Sequence, residues 1–267
     1  MHFTKHQALG NDFLVLLDRE GVTPVEAGLV RSVCDRHRGV GADGLLHVTA
    51  ADDDLHATMN LYTADGSRAE ISGNGLACLA QAVTLAEWVS SDVVCVATAA
   101  GPRSVRVEPS GTAGAHLMTV DMGVAAVEGD EPEWVEGDIL RALRVSMGNP
   151  HLVLHVAAPD AKLDLDELGR AVNDHVAGGI NVEAIWPGPD AGELTMEVYE
   201  RGVGLTEACG SGACAAAVAA KRWELAGDRV RVHMPGGATE IEIGESIRMT
   251  TPVVWVADIE FHEYPTP

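Results

Sequence analysis

A short pattern occurs twice, almost half the chain apart: Glu70-Ile71-Ser72-Gly73-Asn74-Gly75 and Glu207-Ala208-Cys209-Gly210-Ser211-Gly212. Each copy leads into an Ala-rich apolar run. Glycines ahead of such a run leave free backbone N–H groups at a helix N-terminus, where partial positive charge gathers. A repeated helix-opening device in 267 residues constrains the fold to two comparable halves of about 130 residues, each built around its own helix. Two such helix ends facing one another would clamp a carboxylate between two side chains able to move protons. That suits inversion at a carbon beside a carboxylate, and the copies differ where it matters, Ser72 against Cys209.

The intervening stretches carry the periodicity that halves of this kind need. Residues 13–17, 44–48, 59–62, 93–96, 104–107 and 116–120 alternate or run apolar as strands do, with helices expected over 26–36 and 73–89. The second half repeats this order loosely. Strands are expected over 140–145, 152–156, 182–186, 194–199, 230–234, 240–243 and 253–261, and helices over 163–173 and 210–225. The two device helices are apolar nearly all round, through Leu76, Leu79, Ala80, Val83 and Leu85 in one and Ala215, Ala216, Val218 and Ala219 in the other, which predicts that both are enclosed. The fold class is therefore α+β, with a curved sheet around one apolar helix in each half. The expected domains are residues 1–117, joined by 259–267, and residues 118–258.

Forty acidic residues against 18 basic ones give a formal charge of −22, a field that repels phosphate backbones and anionic membranes and excludes nucleic acid as a partner. No basic-then-apolar leader opens the sequence and no apolar run approaches the roughly 18 residues of a membrane span, so a cytoplasmic protein is expected. Five cysteines are an odd number for a disulfide framework. Neither a C-x-x-C pair nor an H-E-x-x-H motif is present, and no metal is expected. A dinucleotide fingerprint and a phosphate loop are also missing, and Lys5, Lys162 and Lys221 leave little choice for a pyridoxal Schiff base, so no cofactor is expected.

Cys209 is the principal candidate for chemistry. The dipole and free donors of a helix N-terminus favour a thiolate, which is expected to lower the thiol pKa toward neutrality and make it a usable base. A hydroxyl is far less acidic, so Ser72 can at most donate a proton or a hydrogen bond, and it also suits the N-cap. Cys78, Cys95 and Cys214 lie inside apolar runs and read as inert core. Asn11 in Gly10-Asn11-Asp12-Phe13 and Asn149 in Gly148-Asn149-Pro150-His151 occupy matching Gly-turns, and the adjacent acid and base of Glu200-Arg201 suit a zwitterion.

Six motifs in order extend this likeness almost end to end: Gly10-Asn11-Asp12-Phe13; Arg38-Gly39-Val40-Gly41-Ala42-Asp43-Gly44; Ala64-Asp65-Gly66-Ser67; Ser72-Gly73-Asn74-Gly75; Met147-Gly148-Asn149-Pro150-His151; and Tyr199-Glu200-Arg201-Gly202 through Ala208-Cys209-Gly210-Ser211-Gly212-Ala213-Cys214. Together they resemble the diaminopimelate epimerase family of cofactor-independent amino-acid racemases and epimerases. The resemblance implies two pseudo-symmetric halves, each a barrel-like, mostly antiparallel sheet around a central helix, an active site in the cleft between them, and a homodimer. It implies conversion of LL- to meso-diaminopimelate by two cysteines, a thiolate taking the α-proton from one face while a thiol protonates the other. Cys209 matches one of these cysteines. Backbone N–H groups of Gly73, Asn74, Gly210 and Ser211 match those that hold the α-carboxylate. Asn11, Asn149, Asn181, Glu200 and Arg201 match substrate-contacting positions, the last four mainly at the distal amino-acid end. Two positions depart from the pattern: Ser72 replaces the second cysteine, and Thr63 stands where Asn is usual and shortens a distal contact. A chain altered at Ser72 to trap a ligand and a divergent member of the family are the alternatives, and Thr63 favours divergence. Inversion of another amino acid, one-base elimination and binding without catalysis are the competing functions.

Overall fold

The computed structural model describes residues 1–51, 55–69, 71–157 and 163–262; Glu70, Lys162 and residues 263–267 lie outside the described residues. The chain divides into two units, Met1–Val120 with the segment from Thr251 onward, and Asp121–Thr250. These junctions, 120/121 and 250/251, compare with 117/118 and 258/259 in the expectation from sequence.

Unit 1 runs β1 (His2–Ala8), β2 (Asn11–Leu17), α1 (Ala27–Cys34), β3 (Gly44–Thr49), β4 (Ala57–Thr63), β5 (Arg68–Ala69), α2 (Gly73–Leu85), β6 (Val93–Ala97), β7 (Arg103–Pro109) and β8 (Ala115–Gly123). After β9 (Ala126–Asp130), unit 2 repeats the series: β10 (Ile139–Ser146), β11 (Pro150–Val156), α3 (Leu165–His175), β12 (Asn181–Pro187), β13 (Leu194–Glu200), β14 (Gly204–Thr206), α4 (Gly210–Arg222), β15 (Arg229–Met234), β16 (Gly237–Ile243) and β17 (Ile247–Glu260). Pairing repeats too. The parallel pairs are β2–β3 and β4–β6 in unit 1, β11–β12 and β13–β15 in unit 2. Each is bridged by a helix, which returns the chain to the same end of the sheet, whereas the hairpins are antiparallel. In unit 1, β1 pairs with both β2 and β17, and β17 pairs with β8, so β1, β2, β3, β4, β6, β7, β8 and β17 form a closed ring. β17 assigns residues 247–250 to unit 2 and 251–260 to unit 1.

The strands nearest the helices are buried on both faces, which is why they read as unbroken apolar runs. Val30 and Val33 of α1 pack with Phe3, Leu14 and Leu45, and Leu165 and Val172 of α3 pack with Leu152, Leu154 and Val182. Alternate residues such as Leu46 turn toward the device helix instead. α2 is buried without interruption from Gly73 to Val83. Leu85, expected in the enclosed face, is 47% exposed because the helix ends there.

Both device helices have 13 residues, against expected ends at 89 and 225. Each stops in the same way. Glu87 and Glu224 adopt left-handed φ values of 56° and 59°, while Trp88 and Leu225 donate back to Val83 and Ala220 carbonyls, closing a Schellman turn. The polar strand β1 and the exposed strand β9 were not expected. β1 turns His6 inward, where Nδ1 meets Gln81 Oε1 of α2 at 2.7 Å, so its alternation is not apolar. Gln81 Nε2 also donates to the Val253 and Gly114 carbonyls, tying α2 to the ring around it.

Candidate active site

In unit 1 the site residues gather at the start of α2. Ser72 is the N-cap, and its Oγ accepts the Gly75 N–H at 3.0 Å. Asn74 Nδ2 donates to Asn11 Oδ1 at 3.4 Å, and Asn74 Oδ1 is buried without a partner among the described residues. Asn11 follows the two-residue turn Leu9-Gly10, both at positive φ, and donates to Asp43 Oδ2 at 2.8 Å. Arg36 bridges Asp43 and Asp12, and Lys5 Nζ lies 2.8 Å from Asp12. Thr63 Oγ1 donates to Asp65 Oδ1 at 2.6 Å within the 63–67 turn, and this bond with those from Ser67 lowers the Asp65 carboxyl to about 2. The hydroxyl hydrogen of Thr63 is thus committed to its own turn.

In unit 2 the matching residues form a longer polar chain. Cys209 caps α4, its Sγ accepting the Gly212 N–H at 3.4 Å and lying 3.6 Å from Ser211 Oγ. Asn149 Nδ2 donates to Ser211 Oγ at 3.3 Å, as Asn11 meets Asn74 in unit 1. Asn149 Oδ1 lies 3.1 Å from His151 Nε2, and His151 Nδ1 lies 2.7 Å from Glu183 Oε1. Thr206 Oγ1 donates to Glu200 at 2.6 Å; burial still raises the Glu200 carboxyl. Asn181 Oδ1 accepts the Arg201 N–H at 2.9 Å, and the exposed Arg201 guanidinium donates to the Gly178 carbonyl.

Sequence reasoning gave no role to His151 and passed over Glu183. One signal was available: Glu183 interrupts the apolar run of β12 yet is fully buried. Register identifies the unit 1 counterparts. Phe13 pairs with Gly44, two residues before Leu46, and His151 pairs with Asn181, two before Glu183. A Cβ on Gly75 would lie 3.4 Å from Leu46 Cδ2, and one on Gly212 would lie 2.7 Å from Glu183 Oε1. The places of His151 and Glu183 are therefore filled by Phe13 and Leu46 in unit 1.

One expectation is corrected. The Cys209 thiol is pushed well above its ordinary pKa, not toward neutrality: burial dominates, and the Glu200 and Glu183 carboxylates add to it. The Ser211 hydroxyl and the Gly212 N–H oppose the rise without cancelling it. Cys78 and Cys214 are fully buried and raised by burial alone or nearly so, in keeping with inert core thiols. Among the described residues, no cluster of three or more His, Cys, Asp or Glu is placed to hold a metal, and no helix is long and apolar enough to cross a membrane.

The ring-and-helix fold recurs in solved structures of low sequence identity. A Bacillus anthracis phenazine biosynthesis protein of the PhzF family superposes with TM-score 0.74 at 14% identity, covering 98% of this chain and 99% of that one. A hydroxyproline epimerase from Agrobacterium vitis gives 0.70 at 16% identity, with 98% and 91% covered. Sequence relatives are nearer. Diaminopimelate epimerases of Cyanothece sp. and Desulfitobacterium hafniense are each 37% identical, covering 94% and 96% of this chain and 96% of each relative. That of Thermobifida fusca is 35% identical over 97% of both. The family model for diaminopimelate epimerase matches residues 3–128 and 143–256. The matched ranges take in both device helices and both Asn-bearing turns, and the chain belongs to the diaminopimelate epimerase family.

Proposed function

We propose that the chain inverts the α-carbon of diaminopimelate, LL to meso, by cofactor-independent removal and return of the α-proton. The observation that carries this reading is the Cys209 sulfur at the mouth of α4, bonded by the Gly212 N–H beside the Ser211 hydroxyl. A thiolate there takes the α-proton. Backbone N–H groups of Gly210 and Ser211, with those of Gly73 and Asn74, hold the α-carboxylate as negative charge spreads onto it, stabilising the transition state more than the substrate. Asn11, Thr63, Asn149, Asn181, Glu200 and Arg201 complete the substrate contacts in this reading. A cytoplasmic homodimer is part of the same proposal, tested by sedimentation.

Ser72 divides exchange from inversion. Returning a proton from its hydroxyl leaves an alkoxide, far less stable than a thiolate, and that penalty falls on inversion in both directions. Exchange on the Cys209 face avoids it. Incubation with diaminopimelate in heavy water should place deuterium at the α-carbon faster than the other epimer accumulates. Binding without any exchange would overturn the reading in favour of a non-catalytic amino-acid receptor. Ser72→Cys should raise epimer formation by about 10²–10⁴-fold, the worth of a positioned proton-transfer group, and change exchange on the Cys209 face by much less.

A second reading is favoured by the apolar Leu46, which lies against Gly75 in the first turn of α2 where unit 2 sets Glu183 against Gly212. One working base suffices for elimination from an amino acid with a β-leaving group. Turnover of a β-chloro amino acid by the unaltered chain, faster than inversion of any amino acid, would select it.

A further inference from the structure

We propose that Asn173 is a positioning residue for substrate choice: its amide pins the Gly178-Gly179-Ile180 turn, and the turn aims the Arg201 guanidinium, so that the site selects an amino acid bearing a second carboxylate at its far end. This deepens the reading above and rests on Arg201 as a substrate contact.

The linkage begins in the last turn of α3. Asn173 Oδ1 accepts the Ile180 N–H at 2.9 Å, while Nδ2 donates to the Ile180 carbonyl at 3.0 Å and to the Gly169 carbonyl at 2.7 Å. Two carbonyls against one N–H fix which way the amide faces, since the flipped amide would turn its oxygen toward both carbonyls. Ile180 is thus held through both of its backbone groups, as by a strand partner.

The neighbours of Ile180 hold Arg201. Asn181 Oδ1 accepts the Arg201 N–H at 2.9 Å, and the Gly178 carbonyl accepts from the guanidinium at 3.2 Å. Gly178 and Gly179 are both left-handed, at φ 85° and 73°. A Cβ on Gly179 would lie 2.8 Å from Arg201 Cγ and Cδ and 2.6 Å from Asn173 Oδ1. The arginine stem therefore rests on bare backbone, and a shift of the turn shifts the arginine.

Two observations say that this serves a ligand and not the fold. The guanidinium is anchored to a neutral carbonyl and, among the described residues, to no carboxylate, in a chain with 40 acidic residues against 18 basic ones. A planar fork held in that way keeps its other donors for an incoming carboxylate. Unit 1 manages without the arginine. The residue after the matching strand β4 is Ala64, whose N–H donates to the Asp43 carbonyl at 3.0 Å, just ahead of β3, as that of Arg201 donates to Asn181 at the start of β12. The repeat needs the N–H contact at this place, and the charged side chain is an addition of unit 2.

Calorimetry with diaminopimelate and with lysine, which differs from it in lacking the far carboxylate, reads the selection in the full chain. Asn173→Ala should weaken diaminopimelate binding about tenfold, the loss of one charge-assisted hydrogen bond, and leave lysine binding unchanged. The KM for exchange should rise in step while kcat holds. Equal weakening of both ligands, or parental binding of both, overturns the proposal. In an Arg201→Ala background Asn173→Ala should add nothing to the loss, and a further loss of the same size there overturns the route through Arg201. Where Asn173→Ala does not fold, Gly179→Ala decides, since its methyl group would displace the arginine stem: a loss confined to diaminopimelate supports the proposal and parental selectivity overturns it. Binding needs no turnover, so absence of exchange in the parent chain would sink the isomerase reading alone. A parent that binds lysine as tightly as diaminopimelate would overturn Arg201 as the selecting group, and the proposal with it.

Discussion

At the scale of single residues, the site combines a thiol that resists ionisation with a hydroxyl that resists it more. Burial, Glu200 and Glu183 raise the Cys209 thiol, so the thiolate is scarce at neutral pH but strongly basic when formed. Exchange at the α-carbon should therefore rise with pH through and beyond the ordinary thiol range, and a rate flat from neutral to alkaline pH would contradict the assignment of Cys209 as base. Asp12 shows the opposite balance. Burial pushes its carboxyl up, but hydrogen bonds from Arg36 and Lys5 outweigh that and leave it below the ordinary aspartate range. A depressed carboxyl contributes stability that is present above its unfolded pKa and lost as pH falls through the folded one. Lys5→Met should cost about 2–3 kcal/mol at neutral pH by leaving Asp12 one cation short, and acid denaturation should show the variant and parent converging as Asp12 protonates. The main candidates at this scale were legible because Cys209, Ser72 and Asn149 sit in short motifs with distinctive glycines. Glu183 was not, since a lone acid in a strand reads as solvated until its burial is known.

At the scale of elements, helix starts were legible and helix ends were not. Ser72 and Cys209 cap their helices as their glycine-rich contexts suggested. The ends fell three or four residues short of expectation because Trp88 and Leu225 continue the apolar pattern beyond the true stop, and the left-handed residue is Glu in both cases, not Gly. A non-glycine residue in that conformation carries a strain of about 1 kcal/mol. Glu87→Gly and Glu224→Gly should each stabilise the chain by about 0.5–1 kcal/mol, measured by urea unfolding, since glycine removes that strain at the Schellman position. Strand β1 escaped notice for a related reason: an inward His6 and a register shift after Lys5 break the alternation that marks a half-buried strand.

At the scale of the whole molecule, a duplicated sequence device foreshadowed a duplicated topology, down to which strand pairs are parallel. The overall charge of −22 was equally legible and has its own consequence. Self-repulsion opposes compaction, and salt screens it. Thermal unfolding should shift to higher temperature between low salt and about 0.5 M NaCl, where the Debye length is only a few ångströms; a lower midpoint would mean that specific ion pairs such as Lys5 with Asp12 outweigh the net repulsion. The last strand was expected over 253–261, whereas β17 starts six residues earlier, at Ile247, and crosses the 250/251 junction between the units, because Arg248, Thr250, Thr251 and Pro252 interrupt the apolar pattern there.

That strand also makes the halves unequal as inheritable parts. Unit 2 is one uninterrupted stretch of polypeptide, whereas unit 1 is assembled from both ends of the chain. A gene broken between codons 120 and 121 would release an amino-terminal product whose β1 and β8 lack β17, leaving two raw sheet edges of the kind that template aggregation. Evolutionary shuffling of the two repeats is thus restrained by a single strand: the first repeat depends for its closure on chain that follows the second, so during translation its ring stays open until the second repeat has been made.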